Sequence, residues 1–507
     1  MGFFFTILYL ITAYLAPQTI FGDLAQYHVE IVIVILALLF SIPNIGESRI
    51  FSLTQTWAIV GLCGAVAGSM IFNHWLGGAP IALLEFVPEV MAFFLIVMNC
   101  KKKWHLQVLA FTLFCAAMYI VYQGQMDILD GKHRTYYILT QLVNEELGTI
   151  VIRIRGLSFL GDPNDFAQFM VSLIPFMFLF WKKGHAFKNV LLVYLPSAML
   201  FYGMFLCHSR GSMVALMAVC IVAGRKKIGI VPAVAIGIGL FAVLSVAGFS
   251  GGRDVSAGED RLSAWGTGLM LIRRHPFFGV GFNRFSDFNE ITAHNTFVVC
   301  AAELGLIGVY CWVMMMFVTL RNAWEGAKDP NQEAKDRQKK LEKMHAKQPF
   351  LQGVASLTDA TLAPAGANGA VAMMGGSSQF SAPIPFSLPA EATVGAEPDF
   401  GPPNQFAVIE TPEEKQAADD EVRRMSTLVV ISFAGFLTAG WFLSRAYTMC
   451  LYVNAGMGAA VYKMALDRGI VPPPLPTGLV AKYTFWTVLA LLVIIEAMVR
   501  FDHLMPK

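Results

Sequence analysis

The residues of this chain best suited to chemistry are arginines in the segments between its apolar runs. Arg153 and Arg155 lie in one such segment, Arg210 in the short turn His208-Ser209-Arg210-Gly211, and Arg253, Arg261, Arg273, Arg274 and Arg284 in another. A planar guanidinium makes forked, charge-assisted hydrogen bonds, so several gathered on one surface suit an anionic phosphate group. Taken singly, each is better explained by lipid headgroups or loop ion pairs, except Arg210 and Arg261, which their surrounding motifs set apart. His294-Asn295 opens a long apolar run. An imidazole titrates near neutral pH and can move a proton, although a His at this edge also suits a helix cap. Within the same run stands Glu303. A centrally placed acid costs roughly 2.5–3.5 kcal/mol in a bilayer, so Glu303 should face the bundle interior beside a partner, for which Arg445 is a candidate. Glu85 and Glu89 are one helical turn apart and share a face, which either lines a cavity or caps a structural network. Gly161-Asp162-Pro163-Asn164-Asp165 reads as a rigid turn capping a helix. Its place on the arginine-bearing surface leaves sugar binding by Asp162 and Asn164 open.

The elements that position these groups follow from spacing. Leu262, Trp265, Leu269 and Ile272 fall at intervals of three, four and three, one face of a helix. That helix is expected to lie flat at the membrane interface with Trp265 as its anchor and substrate neighbour, and Arg261 opens it. Pro276 ends it, and Gly279 and Gly281 allow a tight return. Gly305 and Gly308 are small residues at helical spacing, which lets a second helix approach closely.

Composition places all of this in a membrane. Of 507 residues, 56% are hydrophobic and 14% charged, where a soluble domain carries about 25% charged residues. A helix needs about 20 apolar residues to cross the bilayer. The sequence predicts an all-α polytopic membrane protein of about twelve spans: 3–20, 29–43, 57–76, 80–99, 105–123, 166–181, 189–207, 211–224, 228–249, 295–320, 427–451 and 481–500. Lys101–Lys103, Lys182 with Lys183 and Lys188, and Arg225 with Lys226 and Lys227 then share one side, which the positive-inside rule makes cytoplasmic. Both termini fall on that side. Segments 124–165, 250–294 and 452–480 face outward. The chain divides into N-terminal spans (1–123), a central region (124–320), a cytoplasmic insertion (321–426) and C-terminal spans (427–507). The insertion is Ala/Gly/Pro/Ser-rich from about 353 to 405 and is expected to be disordered. Net charge is only +2, so nucleic acid is not an expected partner. The eight cysteines lie in or beside apolar runs without a C-x-x-C pair, and read as small hydrophobes.

In chain order, Gly161–Asn164, Ser209-Arg210-Gly211, Arg261-x3-Trp265, His275-Pro276-x2-Gly279-x-Gly281, and His294-Asn295 followed after nine residues by Gly305-x2-Gly308 resemble the O-antigen ligase and polymerase family of bacterial envelope glycosyltransferases. The resemblance spans roughly residues 150–320. It implies a GT-C-like fold with a large periplasmic loop containing interfacial helices, in the bacterial inner membrane. It also implies transfer of a glycan from undecaprenyl pyrophosphate to an acceptor hydroxyl on a glycan, lipid or protein, at the periplasmic face. No cofactor or metal is implied; the outward acids Asp127 and Asp130 are a weak exception. Carried over by motif, Arg210, Arg261 and His294 are the catalytic residues. The two arginines attend the pyrophosphate, and His294 is either general base or phosphate-orienting group. Asn295, Trp265, Arg253, Arg284, Asn164, Asp162 and Glu303 are expected to bind substrate. Ligase and polymerase both remain open. Two other classes compete: a small-anion transporter or channel using Glu85, Glu89, Glu303 and Arg445, and a scaffold of a polysaccharide export complex using segment 326–425.

Overall fold

In lipid, backbone amides and carbonyls have no water to bond, so an apolar run satisfies them by coiling into a helix. The computed structural model follows that rule and describes every residue except 28, 133, 145–148, 248, 250–256, 330–410, 444–445 and 505–507. Among the described residues, the helices of twelve or more residues are α1 (Gly2–Leu15), α2 (Val29–Ser41), α3 (Thr54–Phe72), α4 (Gly78–Asn99), α5 (Lys103–Asp130), α6 (Pro163–Met177), α7 (Leu195–Leu206), α8 (Arg210–Ile228), α9 (Ile230–Val246), α10 (Ala257–Arg274), α11 (Thr296–Gly326), α12 (Pro412–Gly440), α13 (Met449–Asp467) and α14 (Thr477–Leu504). Nine helical stretches among the described residues are long and apolar enough to cross a membrane. The protein is an all-α polytopic membrane protein. Its one described sheet is a hairpin, β1 (Ile138–Asn144) against β2 (Thr149–Ile154), with Ile138 opposite Ile154.

The chain forms two compact units, Met1–Lys328 with Ala418–Lys507, and Asp329–Ala417. The second contains most of the expected insertion, of which 330–410 lie outside the described residues. In the first unit, the basic clusters meet at one end of the bundle. Lys101 pairs with Glu47 at 2.5 Å and Lys103 with Glu421 at 2.7 Å. The Lys226 ammonium donates to the Ala327 carbonyl at 2.7 Å.

The C-terminal spans depart from expectation. Segment 452–480 is not an outward loop, because α13 occupies most of it and is buried along nearly its whole length. Its Lys463 reaches the Glu47 carbonyl at 2.6 Å, so α13 ends at the lysine-rich end. The return helix α14 then brings Glu496 to Arg273 of α10, 2.7 Å apart, near the opposite end. The first and last described helices therefore do not share one face at their outer ends. Hydropathy misses α13 because its surface touches protein rather than lipid. Gly456 and Gly458 let neighbours in: a Cβ on Gly456 would sit 3.1 Å from Ile96, and one on Gly458 2.8 Å from Thr319.

The second departure is a break inside α11. Gly305 adopts φ 64° and ψ −166°, a region open almost only to glycine. The break frees backbone groups that the loop after α10 takes up. Val280 and Gly281 amides donate to the Ala302 and Glu303 carbonyls, each at 3.0 Å. The Leu306 and Ile307 amides donate to the Pro276 and Phe277 carbonyls at 2.8 and 3.3 Å. Gly305 thus admits a loop, not a neighbouring helix, and a Cβ there would lie 2.4 Å from the Phe277 carbonyl. Gly308 faces Leu304 of its own helix, 2.1 Å from where its Cβ would stand. The tight return at Gly279 and Gly281 is present, at φ 62° and 117°.

Candidate functional site

Three of the motifs turn out to be the first residues of helices. Asp162 caps α6, its carboxylate accepting the Asn164 amide at 2.7 Å. Ser209 caps α8, its hydroxyl oxygen accepting the Ser212 amide at 3.4 Å, which sets Arg210 at the first helical position. Asn295 caps α11, accepting the Phe297 and Val298 amides at 3.0 and 3.2 Å. His208 and His294 precede the latter two caps with left-handed backbone, φ 48° and 46°. Each motif is therefore a sharp turn into a helix that leaves one side chain beside the turn.

The turns of Asp162 and His294 border a cavity of about 480 Å³. Its polar lining includes Glu85 and Glu89 from α4, Asp162 and Asn164 from the start of α6, His294, and Glu303 from the broken helix α11. Of the two readings for Glu85 and Glu89, the structure gives the cavity. Glu303 is buried, and its Oε1 accepts the Phe285 amide at 3.1 Å. Its candidate partner Arg445 lies outside the described residues, as does Arg253.

Electrostatics tie the two catalytic candidates Arg210 and Arg261 to His294. Burial holds the Arg261 guanidinium below its ordinary pKa, and the neighbouring Arg210 charge adds to this. Burial likewise lowers the His294 pKa, Arg261 lowers it further, and Asp162 works the other way. An imidazole placed so is neutral near pH 7 and able to accept a proton. The three groups, drawn from segments far apart in sequence, converge at the end of the bundle away from the lysines.

The other candidates separate into several roles. Trp265 is not an interfacial anchor: only 5% exposed, it stacks edge-on against Trp441 and donates from Nε1 to the Ala293 carbonyl at 2.7 Å. It holds the turn that carries His294. The face expected from Leu262, Trp265, Leu269 and Ile272 is the packed face of α10, turned toward α11 and α14. Asn295 is fully buried and spends its oxygen on the cap, so it too orients His294. Arg284 stands apart from the cavity lining, paired with Asp287 at 2.8 Å and 6.0 Å from the Trp75 ring centre. Asp127 is engaged by the Arg134 guanidinium, which donates to both its oxygens at 2.7 and 2.8 Å. Sequence reasoning counted Arg153 among the loop arginines without giving it a site role; it is buried against Asn164 and Cys207. The available signal was a cation within the apolar alternation Ile150-Val151-Ile152-Arg153-Ile154. It also missed Tyr447 and Thr448, which line the cavity from the turn between α12 and α13.

Comparison with known proteins gives one match. The family model described as O-antigen ligase matches residues 195–313, a stretch that holds Arg210, Arg261, His294 and the Gly305-x2-Gly308 pair. The Gly161–Asn164 turn falls outside it. No curated protein and no solved structure matches the chain. With its many apolar helices, the chain is an integral membrane protein that carries the O-antigen ligase domain, and its general role is the glycan transfer of that family.

Proposed function

We propose that this protein transfers a glycan from undecaprenyl pyrophosphate to an acceptor hydroxyl at the periplasmic face of the inner membrane. The observation that carries the reading is the chain of neighbours from Arg210 to Arg261 to His294, of which His294 lines a polar cavity. Two neighbouring guanidiniums gain most from an anion placed between them. In the reaction the acceptor oxygen attacks the anomeric carbon of the donor sugar. The bond from that carbon to the phosphate oxygen breaks, and the lipid pyrophosphate departs with the bonding electrons. Arg210 and Arg261 stabilise the charge that develops on the leaving group. His294, neutral before the step, takes the proton of the acceptor hydroxyl. Its orientation comes from Trp265 and Asn295.

The positive-inside rule supports the face, since the arginine-bearing turns lie away from the lysine-rich end. A carrier would share the broken helix α11. Here the loop 276–281 already takes up backbone groups freed at the break, which favours surface chemistry over passage. Purified protein supplied with a lipid-linked donor and acceptor, with product read by mass, tests the reading. Transfer that survives intact in Arg210→Ala, Arg261→Ala and His294→Ala would end it.

A further inference from the structure

Arg153 lies in β2, outside the stretch matched by the ligase family model. It is 3% exposed and does not line the cavity. Its guanidinium donates in three directions. Nε donates to the Cys207 carbonyl at 2.8 Å, a terminal Nη to Asn164 Oδ1 at 2.9 Å, and the other Nη to Gln141 Oε1 at 3.5 Å. Cys207 closes α7 and stands three residues before Arg210, while Asn164 belongs to the turn that opens α6. We propose that Arg153 is a positioning residue that locks the Asn164 turn to the α7–α8 turn and so fixes where Arg210 presents its guanidinium.

The geometry favours this over a role in packing alone. A cation in an apolar environment is costly unless several acceptors surround it. Isolated packing would be met by a leucine or methionine. A planar fork with fixed angles between its donors sets the relative placement of two acceptors, which a flexible ammonium does not. The Cys207 carbonyl is also one of the last acceptors of α7, where a cation is favoured by the helix dipole. From Cys207 the chain runs through the left-handed His208, whose ring meets the Phe249 carbonyl at 3.3 Å, to the Ser209 cap. A shift at Cys207 therefore reaches Arg210 through a short run of chain.

This inference rests on the role proposed for Arg210, and one double-mutant cycle separates the two. R153K, R210K and the double variant are purified, their folded fraction is measured by size exclusion and thermal melting, and glycan transfer is expressed per folded molecule. R153K is expected to lower kcat by about tenfold or more with a smaller change in KM, since misplacement of about an ångström can cost roughly 100-fold. In the R210K background, R153K should cost less than threefold, because the group it positions is already altered. Losses that multiply in the double variant would overturn the proposal, as would R153K turnover equal to wild type. Full activity of R210K would remove the reading of Arg210 and this inference with it. An impaired R210K with multiplying losses removes only this inference. Should R153K not fold, N164A, which cuts the same tie from its other end, takes its place in the cycle with the same criteria.

Discussion

Replacing Gly305 with alanine tests the joint that shapes the cavity wall. Its backbone angles put any other residue in a region costing about 1–3 kcal/mol. The added methyl would meet only backbone: the Phe277 carbonyl carbon and oxygen at 2.4 Å and the Gly279 nitrogen at 2.6 Å. Relief requires the loop to retreat, and retreat gives up the bonds from Leu306 and Ile307 to the Pro276 and Phe277 carbonyls. Each such bond is worth about 1 kcal/mol net. Strain and lost bonds together come to about 3–5 kcal/mol. The same retreat moves Phe285 off Glu303 and opens the cavity. Gly64→Ala serves as control, because nothing stands within 4 Å of a Cβ there. In detergent, Gly305→Ala should melt at least about 5 °C below wild type and lose most of its transfer, while Gly64→Ala matches wild type. A Gly305→Ala protein that melts and works like the parent would refute the account of the break.

Three further outcomes are expected. Arg210→Ala, Arg261→Ala and His294→Ala should each lose at least about 100-fold in transfer, the scale of one lost charge-stabilising donor, with protein level in the membrane unchanged; Arg210→Lys should recover little of it, because an ammonium lacks the fork. The pH profile should have an acid limb below the ordinary imidazole range, since a base works only when neutral and the lowered His294 pKa delays its protonation. Asp162 raises that pKa, so Asp162→Asn should move the limb to still lower pH, and a limb that moves upward contradicts the assignment. Trp265→Phe keeps the ring but deletes the bond to the Ala293 carbonyl, about 1 kcal/mol net; turnover should fall several-fold with donor KM little changed, measured on the purified variant.

The bundle was readable in sequence wherever helices face lipid, because there the apolar run and the helix coincide. α4 and α5 are such cases. α13 was not readable as a span, since a helix surrounded by protein needs close-fitting small residues more than hydropathy. The hairpin β1–β2 was likewise missed, being short and set in a long loop. The turns that carry Arg210 and His294 were legible because each motif is also a local instruction, a cap and the start of a helix, whereas Arg261 does not open α10 as expected but lies one turn inside it. Trp265 and Asn295 were legible in position but not in role. A Trp on an apolar helix face reads the same whether lipid or a second Trp covers it, and only the fold decides. Arg153 was legible as a loop arginine but not in role, as its partners Cys207 and Asn164 come from segments that are distant until the chain folds.

The convergence of the caps bears on why such a face would hold arginines at all. α6, α8 and α11 begin at the turns of Asp162, Ser209 and Asn295, and the first and last of these border one cavity. A helix start carries the equivalent of about half a positive charge and unpaired amides. Arg210 at the first position of α8 adds a full charge where the dipole already disfavours one, and Arg261 adds another close by. Stability alone argues against that arrangement, because every nearby cation repels the next. It becomes favourable when an anion enters, and a diphosphate does more than a single carboxylate because both guanidiniums can engage it. Burial and the Arg261 charge both lower the His294 pKa, so under the proposed function one arrangement would serve both the leaving group and the base. An arginine pair serving only lipid headgroups would have no reason to sit beside a half-buried imidazole that lines a polar cavity.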